Sequence, residues 1–124
     1  MFFDRPESGE RAVLVHLNLS TEADREDPRE FEELALSAGA DPVHYVFGQL
    51  ETPKARYFIG TGKLEEIAEQ VRLHDAELVL FNHALSPAQE RNLEQALECR
   101  VTDRTGLILD IFAQRARSHE GKLQ

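Results

Sequence analysis

The chain has 124 residues, a mass of 14.1 kDa and a formal net charge of −9 at pH 7. This length corresponds to one ordinary domain and excludes a pair of full catalytic domains. Hydrophobic residues make up 41% and charged residues 30% of the chain, a globular composition that excludes disorder as the dominant state. The excess of carboxylates argues against a protein that binds nucleic acid or an anionic membrane over most of its surface.

Cysteine content and hydropathy indicate the compartment. The single cysteine, Cys99, excludes an intrachain disulfide and fits a reducing cytosol. The amino terminus lacks a basic segment followed by an apolar stretch, and no apolar run approaches the roughly 18 residues that span a bilayer. We therefore expect a soluble, cytoplasmic protein that is not exported and has no membrane span.

The negative charge is concentrated in the first half of the chain. Residues 1–53 contain 4 basic and 12 acidic residues, whereas residues 54–124 contain 10 basic and 11 acidic residues. From Arg100 onward, five basic residues outnumber three acidic ones. If the protein contacts a polyanion, we expect the contact at this carboxyl-terminal end.

The first two predicted elements are a strand and a helix. Residues 12–17 form a short, nearly continuous apolar run, which is typical of a parallel strand covered on both faces. Asp27, Pro28 and Glu30 then supply an N-cap, a first-turn proline and a capping-box glutamate. Apolar residues follow at helical spacing from Phe31, and Gly39 is expected to end this helix.

The middle of the chain repeats the alternation. Residues 43–47 are β-branched and aromatic and predict a second strand, and helical periodicity from Leu64 to Val71 predicts a second helix. Between them lies a long connection, in which residues 57–59 are expected to add a short extended piece. Residues 78–81 predict a third buried strand, and Ser86, Pro87 and Gln89 repeat the signature of a helix start.

Residues 100–103 predict a weak fourth strand and residues 107–116 a last helix that is apolar on most of its circumference. Alternating strands and helices predict a three-layer α/β fold with a four-stranded, mainly parallel sheet and flanking helices. The predicted strand order is 2-1-3-4. The last helix needs cover on two sides, so we divide the chain into an α/β domain, residues 1–103, and the truncated start of a helical hairpin, residues 104–124.

Glycine, polar and cap residues follow the predicted strands, and the carboxyl ends of parallel strands are where ligands bind. The candidate anion or nucleotide contacts are Gly60, Thr61, Gly62, Lys63 and Ser86, because helix amino termini offer unpaired N–H groups. The glycine segment departs from a phosphate loop: Tyr57 stands where its first glycine is needed and Leu64 replaces the Ser or Thr that holds Mg²⁺. A tight entry into the second helix, with a solvated lysine, explains the same residues.

No catalytic or metal constellation stands out in the sequence. The five histidines include no pair at metal-ligand spacing and no cysteine partner at zinc spacing. A nucleophile elbow is absent. We therefore predict no catalytic residue, no metal site and no cofactor in this chain.

Three long blocks resemble one known family. They are residues 57–67 (YFIGTGKLEEI), residues 85–94 (LSPAQERNLE) and residues 103–117 (DRTGLILDIFAQRAR), with residues 120–124 (EGKLQ) after them. Together they resemble the amino-terminal domain of the HflX GTPases, over about residues 12–124. The chain departs from the family at residues 82–84 (NHA), where relatives often carry acidic residues.

The resemblance implies a cytosolic, translation-associated GTPase that binds the large ribosomal subunit and, in bacteria, splits stalled ribosomes under stress. It implies that the last helix continues into a hairpin partner, and that GTP and Mg²⁺ bind in a following domain, so this chain alone should not hydrolyse GTP. Ribosomal RNA and the protein's own GTP-binding domain are the expected partners. The candidate RNA contacts are Arg104, Arg115, Arg117, Lys122 and Lys63.

Two other functions fit the residues. The strand edge could bind a small nucleotide, ATP or GTP, as some family members are reported to do through this domain. Alternatively, the apolar last helix could self-associate and form a homodimer, because exposed apolar patches usually bind a partner.

Overall fold

A computed structural model describes residues 10–19 and 28–123 of the chain. Its elements in chain order are β1 (Arg11–Leu19), α1 (Pro28–Ser37), β2 (Asp41–Leu50), α2 (Thr61–His74), β3 (Leu78–Phe81), α3 (Pro87–Leu97), β4 (Arg100–Asp103) and α4 (Arg104–Leu123). Every predicted strand and helix is present. The Asp27 cap predicted for α1 lies outside the described residues.

The four strands form one parallel sheet in the order β2-β1-β3-β4, which confirms the predicted order. β1 and β2 pair along their whole length with one register irregularity, between Ala12 and Val13. β3 is fully buried, as expected for a central parallel strand covered by helices on both faces.

Two apolar clusters define the three layers. Val13 and Val15 of β1 and Val79 of β3 pack on one face with Ile67 of α2 and Leu93 of α3. On the other face, residues of alternate parity pack with Phe31 and Ala35 of α1 and with Leu107 of α4. This alternation follows from the two-residue period of a strand, and it confirms the predicted α/β sandwich.

Local cap chemistry sets the helix ends. Ser86 and Gln89 form a complete capping box at the start of α3, as predicted. Gly39 follows α1 with φ of 89°, a left-handed conformation that glycine adopts without steric cost.

The last helix is longer than the apolar pattern indicates. It begins at Arg104, directly after β4, and has 20 residues. Asp103 explains the early start: its Oδ1 accepts a hydrogen bond from the Gly106 N–H at 2.8 Å, the contact that an N-cap makes to the third helical residue. Leu107 and Ile111 are buried, so the first turns of α4 pack on the sheet domain. A separate hairpin subdomain over residues 104–124 stays a prediction.

The connection between β2 and α2 differs from the extended piece predicted at residues 57–59. Lys54 and Phe58 exchange backbone hydrogen bonds of 3.1 and 3.0 Å and close a tight turn. Phe58 has φ of 70°, which costs a bulky residue on the order of 1–2 kcal/mol. Its buried ring, edge-on to Phe81 at 6.4 Å, offsets that cost, and hydrophobic burial therefore fixes this turn.

Candidate functional site

The carboxyl edge of the sheet is held together by contacts between neighbouring strand ends. The Asn82 N–H donates to the Val15 carbonyl at 3.0 Å, and the Arg104 N–H donates to the His83 carbonyl at 3.3 Å. Leu85 N donates to the Asp103 carboxylate at 2.9 Å. The amino termini of α2, α3 and α4 all follow this edge, as the predicted strand-to-helix alternation requires.

The glycine segment at residues 60–63 is a helix start. Gly60 is the N-cap of α2, with extended backbone and no side-chain hydrogen bond, and Thr61 and Gly62 open the first turn exposed. No carboxylate stands in that turn, so the first N–H groups remain available to an anion.

Lys63 is engaged within the domain. Its Nζ donates to the Phe47 carbonyl at 3.1 Å and pairs with the Glu66 carboxylate at 2.8 Å. Gly48 makes room for this arrangement, because a Cβ there would lie 2.8 Å from the lysine Nζ. The lysine therefore holds the start of α2 against β2, and a phosphate would have to compete with both contacts.

Ser86 is likewise used locally. Its Oγ accepts from the Gln89 N–H at 3.1 Å, while Gln89 Oε1 accepts from the Ser86 N–H at 2.9 Å. This side chain thus satisfies the helix that it starts.

Arg104 lies on the opposite face of the sheet from α2 and α3. It lines an open cavity of about 400 Å³ together with Glu30, Glu33, Leu34 and Ser37 of α1. Gly60, Ser86 and Arg104 all follow the same sheet edge, but Arg104 lines a cavity on the α1 face, whereas α2 and α3 cover the other face. Arg115, Arg117 and Lys122 continue along α4, where their side chains are outside the described residues.

A buried polar cluster lies at the same edge, and the sequence did not predict its burial. His16, Asn82, His83 and Asp103 are all buried. Asn82 Nδ2 and His16 Nδ1 lie 2.9 Å apart, and the Leu17 N–H donates to His83 Nε2 at 2.9 Å. His16 interrupts the apolar run of β1, and that interruption was the available sequence signal.

Within this cluster, His83 is neutral at physiological pH. Burial, with a smaller contribution from the neighbouring His16, lowers the pKa of His83 to about 4. Among the described residues, Asn82 Oδ1 has no hydrogen-bond partner. Since β1 and β3 are neighbours from which the chain proceeds in opposite directions, this cluster lies at the topological switch point, the usual ligand crevice of such sheets.

Over residues 10–19 and 28–123, no group of three or more His, Cys, Asp or Glu residues is placed to hold a metal ion. Within the same ranges, no helix has the length and apolar character that a membrane crossing requires.

Comparison with known proteins gives a consistent result. The family described as GTP-binding GTPase N-terminal matches residues 25–113. The chain is 60% identical to GTPase HflX of Escherichia coli K12 over 122 residues, which covers 98% of the chain and 29% of that relative. It is 45% identical to GTPase HflX of Caldanaerobacter subterraneus over 115 residues, 93% of the chain and 27% of the relative.

Solved structures agree on the fold. A GTP-binding protein from the archaeon Sulfolobus solfataricus, solved in complex with GDP, superposes with a TM-score of 0.64 at 21% identity, over 84% of this chain and 30% of that one. The present chain thus spans less than a third of the length of these relatives. The family match covers most of the chain, and the relatives described above are up to 60% identical to it. The chain therefore belongs to the HflX family of GTPases and corresponds to the amino-terminal domain of its members.

Proposed function

We propose that this chain is the ribosome-binding, regulatory domain of an HflX-type GTPase, acting on the large ribosomal subunit in the cytoplasm. The observation that carries the proposal is the 60% identity to GTPase HflX across nearly the whole chain. GTP hydrolysis, with bound GTP and Mg²⁺, would belong to the remainder of the longer protein, and the domain described here would couple it to the splitting of stalled ribosomes.

The α4 cations are the proposed contacts with ribosomal RNA. Arg104, Arg115, Arg117 and Lys122 lie on one helix, in a segment that is net positive although the chain carries −9. Lys63 is a weaker candidate because its ammonium group already bonds to Phe47 and Glu66. A few phosphate contacts on an acidic domain give weak binding that falls steeply with salt, by a logarithmic slope of roughly 0.9 per contact on duplex.

The test is binding of the chain to purified large subunits across a salt series. We expect binding that weakens with salt, and a smaller salt slope when the four α4 cations are replaced by glutamine. Arg72→Gln, which removes an exposed cation in the last turn of α2, is the control and should leave the salt slope unchanged. Absence of binding, or binding independent of salt, would contradict the proposal.

Binding of ATP or GTP to the isolated domain is a second candidate, favoured by the uncapped first turn of α2 at Gly60. It predicts saturable heat on titration with either nucleotide and a loss of that heat in Lys63→Ala. A titration to millimolar nucleotide without heat would eliminate it.

Self-association through α4 is a third candidate. Leu109 and Phe112 are 61% and 62% exposed, and Ala113 and Ala116 are exposed as well. These four residues follow the i, i+3, i+4, i+7 spacing of one helix face. Equilibrium sedimentation should then show a dimer that Phe112→Gln dissociates, and a monomer at all concentrations would refute this candidate.

A further inference from the structure

We propose that the turn at residues 54–58 is a preformed RNA contact, in which Lys54 and Arg56 bind phosphate and the paired Arg56 and Tyr57 side chains stack on an unpaired base. The inference rests on the proposed ribosome-binding function and adds to it a surface on the α2–α3 side of the sheet, away from Arg104. None of these three residues was a candidate from the sequence.

The first support is that no described carboxylate holds either cation. Lys54 and Arg56 are exposed, and within the described ranges neither takes part in an ion pair. Arg11, Lys63 and Arg100, by contrast, pair with Asp75, Glu66 and Glu10. A cation already held by a carboxylate must give up that partner to bind phosphate, whereas Lys54 and Arg56 need not.

The second support is that the turn is rigid before any ligand binds. The Lys54–Phe58 backbone pair closes it, and the buried Phe58 ring anchors it. From α3, Gln89 Nε2 donates to the Lys54 carbonyl at 2.7 Å and Asn92 Nδ2 donates to the Arg56 carbonyl at 3.0 Å. Ordering a loop on binding lowers affinity, and this loop is ordered in advance.

The third support is the distribution of charge around the turn. The α3 carboxylates are oriented toward β4: Glu94 accepts from the Val101 N–H at 3.1 Å, and Glu90 interacts with Asp103. Residues 54–57 themselves contain no carboxylate. The amide side of α3 therefore supports a basic turn, while its acidic side faces the opposite direction.

The choice of RNA over an acidic protein follows from the aromatic partner. The Arg56 guanidinium lies 5.2 Å from the centre of the Tyr57 ring, and Tyr57 is half-buried against the core. A guanidinium plane braced by a ring is the type of surface on which proteins stack unpaired RNA bases. An acidic peptide would use the two charges and leave the stacking surface without a function.

The experiment measures binding of the full 124-residue chain to intact large ribosomal subunits and to protein-free RNA extracted from them, each across a salt series. For Lys54→Gln with Arg56→Gln, we expect affinity to fall roughly tenfold or more and the salt slope to fall by about one for each removed cation. The single variants Lys54→Gln and Arg56→Gln are measured as well. Arg72→Gln, which also removes one charge, is their matched control and should change affinity less than either of them. Circular dichroism melting of each variant checks that the fold is retained.

The outcomes separate the two proposals. If the wild type binds both probes and the Lys54→Gln, Arg56→Gln double variant binds them with unchanged affinity, this inference is overturned and the proposed function stands. A loss confined to intact subunits assigns the turn to a ribosomal protein and also overturns it. Failure of the wild-type chain to bind either probe overturns the inference together with the proposed function.

Discussion

At the scale of single residues, the buried histidine pair couples the sheet edge to pH. His83 Nε2 accepts a hydrogen bond from the Leu17 N–H, so this nitrogen must remain unprotonated in the folded chain. Protonation would replace an acceptor by a donor facing a donor and would place a charge beside His16, whose ring centre is 5.8 Å away. The geometry and the direction of the pKa shift therefore agree.

The stability of the domain should fall as the pH falls from about 6.5 to about 4. The pKa of His83 is lowered from 6.5 in the unfolded chain to about 4 in the folded one, so in this window the unfolded state binds more protons and is favoured. The full effect is on the order of 3 kcal/mol. Urea unfolding across this window should show a shallower pH dependence for His83→Gln than for the wild type, and His74→Gln is the control. Equal slopes in the wild type and His83→Gln would contradict the assignment.

Gly48 offers a second test at this scale, because the Lys63 side chain occupies the space that a Cβ at Gly48 would need. A Cβ at Gly48 would lie 2.8 Å from Lys63 Nζ and 3.2 Å from Leu17 Cδ2. We expect Gly48→Ala to lower the free energy of unfolding by about 1 kcal/mol, and to cost less when Lys63 is also alanine. A double-mutant cycle by urea denaturation measures this coupling, and additive effects would show that the lysine is not the constraint.

At the scale of elements, α4 has two faces with different roles. Leu107 packs with residues of the sheet and α1, and Ile111 is buried as well, whereas Leu109 and Phe112 are exposed. Both faces are apolar, which is why the sequence predicts a helix that needs cover on two sides. The structure shows which face the domain itself covers.

Substitutions on the two faces of α4 should differ in their effect on stability. Leu107→Ala should lower the free energy of unfolding by about 2–5 kcal/mol because it leaves a cavity in the core. Phe112→Gln should change it by less than about 0.5 kcal/mol, as is usual for surface positions. Thermal or urea unfolding of dilute protein checks both values. A large loss on Phe112→Gln at low concentration would show that the outer face is covered within the monomer.

Caps, helical periods and apolar runs allowed most elements to be predicted, since Ser86, Pro87 and Gln89 carry their structural signal locally. The start of α4 was misplaced because its cap, Asp103, is the last residue of a strand. The turn at residues 54–58 was misread for a similar reason. The residues that hold it, Gln89 and Asn92, lie 35 and 36 positions from their partners, beyond the reach of local pattern. Of the site, the sheet edge was predictable, while the pairing of Lys63 and the burial of His16 were not.

At the scale of the whole molecule, the domain boundary placed after residue 103 can be tested directly. Leu107 belongs to the same apolar cluster as Leu14, Leu80 and Phe31. Gln114 Nε2 of α4 also donates to the Ala38 carbonyl after α1, at 3.0 Å. The first turns of α4 therefore complete one face of the sandwich.

Truncation should reveal this shared core. A chain that stops after Asp103 should lose cooperative thermal unfolding, because the second cluster is left uncovered, whereas a chain that stops after Gln114 should retain it. Circular dichroism melting of the two truncated chains measures the difference. An unchanged transition in the shorter chain would establish residues 1–103 as an independent domain.

The absence of a loop between β4 and α4 has a mechanical consequence. Twenty helical residues extend about 30 Å from a strand that is hydrogen-bonded into the sheet. Because no loop separates the two elements, a displacement of the distal end of α4 would move β4 as well. The Asp103 carboxylate, which bonds both to Gly106 in α4 and to Leu85 ahead of α3, would be the first contact to register such a movement.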